Sequence, residues 1–531
     1  MSTDQLSFWG WGYADRFPDD DARRDLAARL ENSLGFPERP LLDPPSLEDC
    51  ACPSPALDPP SELDCVTADR EARIRHTYGG AYRDMVRGFH GDFGSAPDLV
   101  ATPEDADGVE RVLGWAAENR VAVMPYGGGT SVVGGVEADV EESFAGTLSL
   151  DLRELDAVHE VDPVSRSARI GAGATGPEIS DQLADHGLQL RHYPQSYEFS
   201  TLGGWIATRA GGHFATLYTH IDDFVESVDH VAPEGRIETR RLPASGAGPD
   251  PNRLVLGSEG TLGAVTEAWM QVQPRPEYRA RASVHFDDWD DAVAATRDIV
   301  QARLYPANCR LLDSKEAMLH EVAFGPHVLV LGFESTDHPV DGDLDRALEI
   351  CADHGATVAD EPTYEHPGEE TERGGDEGDW RSAFVDGPYL FNSLVSLGVV
   401  VDTFETAVTW DQFDDLHAAL QERVGAKMDE VCGTGYLSCR FTHVYPDGPA
   451  PYYTFMAPGD VGSELDQWRE IKREASDVLM EYGATITHHH AVGRVHREWY
   501  HREAPGRYID ALRAVKRELD PEGVMNPGAL L

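Results

Sequence analysis

The sequence predicts an α+β protein with several domains. The chain has 531 residues, which is enough for about two to four domains with sizeable cores. Helical and strand-like apolar patterns follow one another without a regular alternation, and glycine-rich loops stand at the ends of apolar runs. Changes in these patterns predict an N-terminal extension over residues 1–92, a first domain over 93–277, a second domain over 278–485 and a C-terminal segment over 486–531.

The N-terminal extension combines two short helical patterns with a linker rich in Pro and Asp. The linker contains the near-duplicated stretches DPPSLEDC (43–50) and DPPSELDC (58–65), and three of the seven cysteines, Cys50, Cys52 and Cys65. Two interpretations of these cysteines are open: a metal clip, or an extended linker in which the cysteines are incidental. The linker is favoured because no fourth ligand is near. The odd number of cysteines does not indicate a disulfide framework.

The charge balance is strongly acidic. The chain has 44 basic and 94 acidic residues, a formal net charge of -50, and only four of the basic residues are lysine. This composition predicts a protein that stays soluble in concentrated salt, in the cytoplasm of a salt-loving microbe, with an acidic mesophilic protein as the alternative. Nucleic acid and anionic membrane surfaces repel a polyanion, so neither is expected as the main partner.

Neither a signal peptide nor a transmembrane segment is predicted. The N-terminus lacks a basic region followed by an apolar one. The longest uncharged run, GPYLFNSLVSLGVVV (387–401), is too short to span a bilayer. These observations agree with a cytoplasmic location.

The first domain is predicted to open with a helix and a buried strand. Thr102 can cap a helix with Pro103 in its first position, and apolar residues recur at helical spacing over 109–116. The run VAVMPY (121–126) predicts a buried strand. The glycines at 127–129 therefore follow a strand end.

Further elements follow from the same patterns. Several strands are predicted over 146–174 and a helix over 176–188. Beyond residue 277, strands and helices surround an acidic insertion at 360–380 that is expected to form an exposed loop. A helix is predicted within 465–483. The last stretch, 506–531, predicts a helix and a docked tail.

Glycine-rich loops often hold phosphate groups through backbone N–H groups. A P-loop is excluded at 127–129 because it requires a lysine, and none stands nearby. The stretch GAGATG (171–176) matches a Rossmann fingerprint letter for letter, between an apolar strand and a helix. The surrounding βαβ alternation is missing, which disfavours NAD at this position.

Four separated stretches together favour a long dianionic cofactor. They are PYGGGTS (125–131), QSYEFSTLGGWIATRAGG (195–212), GSEGTLGAVTE (257–267) and DPEGVMNPGALL (520–531). The first three are rich in glycine and hydroxyl side chains and almost free of positive charge. Together they resemble the PCMH-type FAD-binding domain of the FAD-linked oxidase superfamily, which includes vanillyl-alcohol oxidase-like flavoenzymes and FAD-linked 2-hydroxy-acid dehydrogenases. Within it, the chain is most similar to the alkylglycerone-phosphate synthase (alkyldihydroxyacetone-phosphate synthase) family.

The resemblance implies a two-lobed FAD-binding domain over 93–277, an α+β cap domain over 278–485, and a C-terminal segment over 486–531 that returns to the active site. We predict non-covalent FAD, because the loop 125–131 lacks the histidine that some members use for covalent attachment. The implied cofactor-binding residues are Pro125, Tyr126, Gly127, Gly128, Gly129, Thr130, Ser131, Gln195, Ser196, Tyr197, Glu198, Phe199, Ser200, Thr201, Thr208, Arg209, Ala210, Gly211, Glu259, Gly260, Thr261, Leu262, Gly263, Ala264 and Val265.

Three consecutive histidines, His488, His489 and His490, form the second informative stretch. Histidine is suited to proton transfer near neutral pH. In an extended segment His488 and His490 would share one face, with His489 on the other. A surface run and a metal cluster are the alternatives, and we predict no metal. In the synthase family an equivalent run lies at the active site, so the resemblance implies catalytic roles for all three.

Two further catalytic residues are implied by the resemblance. Arg310 matches an arginine important for activity in the synthases; a surface ion pair with Asp313 is the alternative. Tyr452 matches a tyrosine that acts in proton transfer. Tyr453 beside it leaves this assignment open by one position, and a core tyrosine is the other alternative.

One position departs from the synthase pattern. Phe391 stands where the synthases have an arginine that grips the substrate phosphate. A phenyl ring replaces a bidentate, charge-assisted phosphate contact with an apolar wall. Arg381 could compensate. We place Phe391 in the substrate-binding site.

We therefore predict an FAD-dependent oxidoreductase that transfers a hydride from a 2-hydroxy acid or related alcohol to flavin N5. The alternative is a synthase-type, FAD-dependent alkyl transferase of ether-lipid synthesis, and an inactive flavin-binding scaffold is a third hypothesis. The expected partner is a small-molecule substrate. The sequence leaves open the identity of the substrate and of the electron acceptor. It also leaves open the oligomeric state, for which a homodimer is one option.

Overall fold

The computed structural model of the protein describes residues 5–141, 143–368 and 387–531. The helices are α1 Asp20–Leu34, α2 Arg70–Arg75, α3 Tyr82–Phe89, α4 Ala106–Asn119, α5 Gly176–Ala184, α6 Leu202–Thr208, α7 Asn252–Val255, α8 Trp289–Gln301, α9 Ser314–Leu319, α10 Asp341–Asp353, α11 387–396, α12 Trp410–Cys432, α13 Glu464–Glu481, α14 Arg497–Glu503 and α15 Gly506–Leu519. The strands are β1 Val66–Thr67, β2 Leu99–Ala101, β3 Val121–Tyr126, β4 Gly146–Asp151, β5 Val158–Asp162, β6 Ser167–Gly171, β7 Leu188–Gln189, β8 Val225–Ala232, β9 Gly235–Glu238, β10 Ala264–Gln271, β11 Gln273–Pro274, β12 Tyr278–Phe286, β13 Asn308–Leu312, β14 His327–Ser335, β15 Thr357–Val358, β16 Thr363–Glu365, β17 Val399–Glu405, β18 Tyr436–Val444 and β19 Pro449–Pro458.

The first lobe is a small sheet with strand order β1-β2-β4-β3. β2, β4 and β3 run parallel, and β1 joins β2 in the antiparallel direction. α4 packs its apolar stripe on this sheet, as its spacing predicts. The helix begins later than predicted: Asp105, and not Thr102, is the N-cap, because Oδ1 of Asp105 accepts the backbone N–H of Gly108 at 2.6 Å.

The second lobe is an antiparallel sheet with strand order β5-β6-β10-β8-β9. The GAGATG stretch (171–176) starts at the end of β6, whose two neighbours, β5 and β10, both run antiparallel to it. A dinucleotide fingerprint requires a parallel βαβ unit at this place. The Rossmann interpretation is therefore excluded by the topology.

The cap is a larger antiparallel sheet with strand order β15-β12-β14-β13-β18-β19-β17, to which β16 adds by pairing with β12. Helices α8, α10, α12 and α13 contact this sheet around the largest apolar core. Along β19 the side chains alternate: Tyr453 and Phe455 lie in the core, while Tyr452 and Thr454 line a cavity. One face of the cap sheet is thus available for a site.

The C-terminal end of the described chain returns to the first lobe. The tail docks as predicted: Val123 of β3 donates to Val524 O at 2.8 Å, and Asn526 donates back to Val123 O at 2.8 Å. The domain boundaries stay predictions. Residues 369–386, which include most of the predicted acidic loop and Arg381, lie outside the described residues. None of the described helices has both the length and the apolar character needed to cross a bilayer.

Candidate active site

A single large cavity joins the glycine loop after β3 to the inner face of the cap sheet. It contains about 2210 Å³ of space free of protein atoms, with the solvent at its mouth included. Its lining extends from the glycine loop to the histidine run and the cap sheet, which suits an elongated ligand that contacts all three. The predicted site residues that line it are 125–131, Gln195, Ser196, Ser200, Thr201, Thr208, Ala210, Gly211, Glu259, Gly260, 263–265, Arg310, Phe391, Tyr452, His489 and His490.

Seven predicted site residues do not belong to the cavity lining. They are Tyr197, Glu198, Phe199, Arg209, Thr261, Leu262 and His488. Several of them support residues that do line it. Arg209 pairs with Asp222 at 2.8 Å, and Thr261 and Leu262 are buried inside their loop. A motif predicted as a continuous run therefore contributes only some of its members to the cavity.

The glycine loop fits a phosphate group because its backbone is bare and closely packed from behind. A Cβ built on Gly128 would overlap the carbonyl oxygen of Phe199, and one built on Gly127 would overlap the hydroxyl of Thr201. Only glycine allows the segment around Phe199 to approach so closely. Thr130 and the rest of the loop line the cavity. Bare backbone flanked by hydroxyls, with no lysine, suits the diphosphate of a dinucleotide.

Glu259 joins the cofactor loops to the histidine segment. Its carboxylate accepts the backbone N–H of Val492 at 2.9 Å and of Gly493 at 2.6 Å. Its own carbonyl oxygen accepts the side-chain amide of Asn526 at 2.7 Å. Burial raises the pKa of Glu259 to about 7, although these two backbone donors oppose the rise. Through its carboxylate and its backbone carbonyl, Glu259 thus joins its own loop to the histidine segment and to the C-terminal tail at one point of the cavity wall.

The histidine run is folded around a buried carboxylate, Glu405, at the end of β17. The backbone N–H groups of all three histidines point to it; that of His490 lies 2.9 Å from Oε1. The expected alternation of faces is wrong, because the segment bends to bring three consecutive N–H groups to one acceptor. Burial opposes ionisation of Glu405, but the three histidines and the hydroxyl of Thr487 outweigh it and hold the pKa of Glu405 well below its usual range.

The three imidazoles have different positions. His489 and His490 line the cavity, whereas His488 lies behind them. Nε2 of His488 is 2.9 Å from the hydroxyl of Tyr445, and its Nδ1 is 3.1 Å from Nδ1 of His489. Burial lowers the pKa of His488 to about 3 and that of His489 well below its usual range. Both rings are therefore neutral near pH 7, with an unprotonated ring nitrogen each.

His443 of β18 completes a cluster with two members of the run. Within the part of the chain that the structure describes, one group of three potential metal-ligand residues comes together: ligand atoms of His443, His488 and His489 lie within 4.8 Å of one another. Neutral imidazoles at this spacing could hold a divalent cation such as Zn²⁺. The sequence offered no signal for His443, because a single histidine in a buried strand is usually a core residue.

Of the two adjacent tyrosines, Tyr452 faces the cavity. Its hydroxyl donates to Oγ1 of Thr403 at 3.0 Å, and its ring stacks on His489 with the centroids 6.0 Å apart. Tyr453 points to the other side of the sheet and stacks on Phe404 at 4.9 Å. Successive side chains of a strand point to opposite faces of the sheet, so the two tyrosines lie on opposite sides.

Two guanidinium groups reach the cavity from the cap sheet. Arg440 forms an ion pair with the buried Glu316, and its guanidinium lies 3.8 Å above the Tyr452 ring. Arg310 is almost fully buried; its Nη2 donates to the carbonyl oxygen of His213 at 3.0 Å. Burial, followed by the nearby charge of Arg440, lowers the pKa of Arg310 to about 9, so it stays cationic at neutral pH.

Phe391 lies on α11 and contributes an apolar surface. Leu390 and Leu394 of the same helix line the cavity with it, and Met456 of β19 lines it from the cap sheet. This wall stands where the resemblance implied a phosphate-binding arginine. The predicted compensating residue, Arg381, falls outside the described residues.

The fold and the cavity together are typical of an enzyme of the nucleotide-cofactor class, with buried histidines lining the cavity that the glycine loop borders. The sequence profile described as "FAD binding domain" matches residues 97–240, and the one described as "FAD linked oxidases, C-terminal domain" matches residues 275–530. The chain belongs to the FAD-linked oxidase family, and its cofactor is FAD. The predicted family, α+β fold and cofactor are confirmed.

Relatives in two reaction classes are similar to the chain. Alkyldihydroxyacetonephosphate synthase of Dictyostelium discoideum is 30% identical over 491 residues, which cover 87% of this chain and 78% of the relative. Glycolate oxidase subunit GlcD of Bacillus subtilis is 27% identical, covering 82% of this chain and 89% of the relative. A solved structure of alkyldihydroxyacetonephosphate synthase has a TM-score of 0.78 and 26% identity, and the match covers 98% of both chains.

Proposed function

We propose that the protein is an FAD-dependent oxidoreductase that converts a 2-hydroxy acid, or a related alcohol, to the oxo compound. The neutral imidazole of His489, which lines the same cavity as Arg310 and the glycine loop, is the observation that carries this proposal. When bound, FAD supplies the acceptor for the substrate's hydride. The residues of the chain position the substrate and accept its proton.

Arg310 is suited to hold the carboxylate of the substrate. Its guanidinium is cationic at neutral pH and borders the cavity from β13. Arginine binds carboxylates in a planar, bidentate geometry. The charge of the second guanidinium, that of Arg440, is offset by Glu316. A guanidinium in this position is suited to the carboxylate of a monoanionic acid.

His489 is suited to accept the proton of the substrate hydroxyl. As a neutral ring it has a nitrogen able to take a proton while the α-carbon loses its hydride. Glu405 fixes its backbone, and the Tyr452 ring stacks on it. His488, behind it, is a positioning residue because its ring nitrogens contact Tyr445 and His489.

An alkyl transfer of the synthase type is the second candidate. The triple histidine and the cavity position of Tyr452 favour it, as does the similarity to alkyldihydroxyacetonephosphate synthases. Phe391 opposes it, because an apolar ring cannot replace a cation at the substrate phosphate.

An anaerobic visible spectrum of the FAD-loaded protein in molar KCl tests the proposal. We expect a panel of 2-hydroxy acids to contain at least one that bleaches the flavin band. In the variant His489→Gln the bound flavin should remain while bleaching slows by about 10²-fold or more. A spectrum that no hydroxy acid bleaches, together with turnover of acyl-dihydroxyacetone phosphate, would establish the transferase instead.

A further inference from the structure

We infer that the N-terminal hairpin, residues 5–14, is part of the active site and that its Trp11 is a specificity-determining residue. The inference rests on the proposed function for its substrate class. The wall that Trp11 forms with Phe391 selects 2-hydroxy acids that carry an alkyl or aryl group over those that carry none.

The hairpin is closed by its own backbone hydrogen bonds. Ser7 N donates to Gly12 O at 2.7 Å, and Ala14 N donates to Gln5 O at 2.9 Å. Trp9 at its tip is buried, with its ring centroid 4.9 Å from that of Phe89 in α3. The segment is therefore anchored in the main apolar core.

Asn392 of α11 binds the hairpin through its side-chain amide. Its Oδ1 accepts the backbone N–H of Trp11 at 2.8 Å, and its Nδ2 donates to Trp11 O at 2.8 Å. The two bonds satisfy both backbone groups of one residue with one buried side chain, and Asn392 is only 3% exposed. Asn392 directly follows Phe391, so the helix that carries the apolar wall also fixes Trp11.

The indole packs closely against the backbone of Gly80, and the next residue of the hairpin, Gly12, packs closely against α11. A Cβ on Gly80 would overlap the six-membered part of the Trp11 ring, and a Cβ on Gly12 would overlap the Tyr389 side chain. The backbone N–H of Gly80 donates to Ser131 O at 2.8 Å, at the end of the glycine loop. Trp11 is thus held between the cofactor loop and α11, and it lines the cavity.

The chemistry of this corner is apolar. Leu390, Phe391 and Leu394 of α11, with Met456 of β19 and Trp11, contribute carbon surface to one cavity. Arg310 enters the same cavity from β13. A 2-hydroxy acid whose carboxylate binds Arg310 would bury an alkyl or aryl group against the apolar wall, which a substrate such as glycolate cannot do.

The test compares 2-hydroxyoctanoate with glycolate as hydride donors, and octanoate with acetate as unreactive ligands in calorimetric titrations. Wild-type protein should prefer the eight-carbon compound in both assays. Trp11→Ala should lower that preference about tenfold in kcat/KM and in Kd, with FAD content unchanged. Trp11→Phe should lower it less. Trp115→Ala, a half-buried tryptophan of α4 outside the cavity, is the matched control.

Asn392→Ala should lower the preference as well, because it keeps the indole but removes both hydrogen bonds that hold the backbone of Trp11 in position. The inference would be overturned if wild-type protein did not distinguish the eight-carbon from the two-carbon acids. It would also be overturned if both Trp11→Ala and Asn392→Ala kept the wild-type preference. If no hydroxy acid bleaches the flavin while octanoate binds in a Trp11-dependent way, the proposed function fails and the apolar wall stands. If a hydroxy acid bleaches the flavin but the preference does not depend on Trp11, the proposed function stands and the inference about Trp11 fails.

Discussion

Oε1 of Glu405 accepts the backbone N–H of His490 at 2.9 Å. The same carboxylate receives the N–H groups of His488 and His489. One strand end of the cap therefore sets the path of the whole histidine run. The imidazoles depend on this anchor for their positions, because the segment itself is neither helix nor strand.

Glu405→Gln should impair catalysis without loss of FAD. The amide offers one acceptor oxygen where the carboxylate offers two, so some of the three N–H groups lose their partner and the rings shift. A misplacement of about 1 Å can cost about 10²-fold in rate, and we expect a loss of this size in anaerobic flavin reduction. Glu474→Gln, at an ion pair with Arg423 far along α13, is the control. A wild-type rate in Glu405→Gln would contradict the anchoring role.

Gly128→Ala should abolish FAD binding. The added methyl group would overlap the carbonyl oxygen of Phe199, so either the glycine loop or the segment behind it must move. Flavin content per polypeptide after purification is the measurement. Gly114→Ala in α4 has open space around its Cβ and should retain full flavin. Full flavin in Gly128→Ala would show that the loop does not hold the cofactor.

Phe391→Arg should create affinity for phosphorylated ligands. A guanidinium on α11 would add a charge-assisted hydrogen bond, worth about 1.5–3 kcal/mol, or about 10- to 100-fold in Kd. Titration with dihydroxyacetone phosphate measures the gain, and Phe391→Leu serves as the apolar control. The same affinity in both variants would mean that Phe391 does not face the substrate.

The flavin should be released when the protein is denatured. The loop 125–131 contains hydroxyl side chains, Thr130 and Ser131, but no histidine or cysteine that could carry a covalent bond to the cofactor. Ultrafiltration after denaturation in urea should pass the yellow colour into the filtrate. Colour retained with the polypeptide would disprove non-covalent binding.

The free energy of unfolding should fall as the pH drops below about 6.5. Burial lowers the pKa of His192 to about 3, whereas an unfolded histidine titrates near 6.5. Between pH 3 and pH 6.5 the His192 ring binds a proton in the unfolded chain but not in the folded protein. The stability that the neutral ring confers is therefore complete above pH 6.5. It is lost progressively towards pH 3, by about 1.4 kcal/mol per pH unit.

Urea unfolding at several pH values in molar KCl checks this slope. His192→Phe removes the titrating group and keeps an aromatic ring beside Trp205 and Phe224, so the slope should become shallower. His338→Phe, at an exposed position, is the control. An identical slope in wild type and His192→Phe would contradict the prediction.

Local patterns were sufficient for much of the fold. The apolar spacing over 109–116 and the run VAVMPY correspond to α4 and β3, because a single buried stripe and a buried strand are visible in a short window. The helix start was wrong, since Thr102, Asp105 and other polar residues compete as caps and only the tertiary position of the helix decides among them.

The cofactor loops were predictable for a different reason. Close approach of the backbone requires glycine at these positions, so the requirement is visible in the sequence itself. Glu405 and His443 left no such mark. Their roles arise from contacts with the histidine run, far along the chain, and a buried carboxylate or imidazole at a strand end has no local pattern of its own.

The pairing of Val123 with Val524 and Asn526 has a consequence for biosynthesis. β3 leaves the ribosome long before the segment that pairs with it, so this lobe cannot be completed until that segment has been made. The cap sheet, whose last strand ends at Pro458, is free to fold earlier. Loading of the vitamin-derived cofactor is then expected as a late step of maturation.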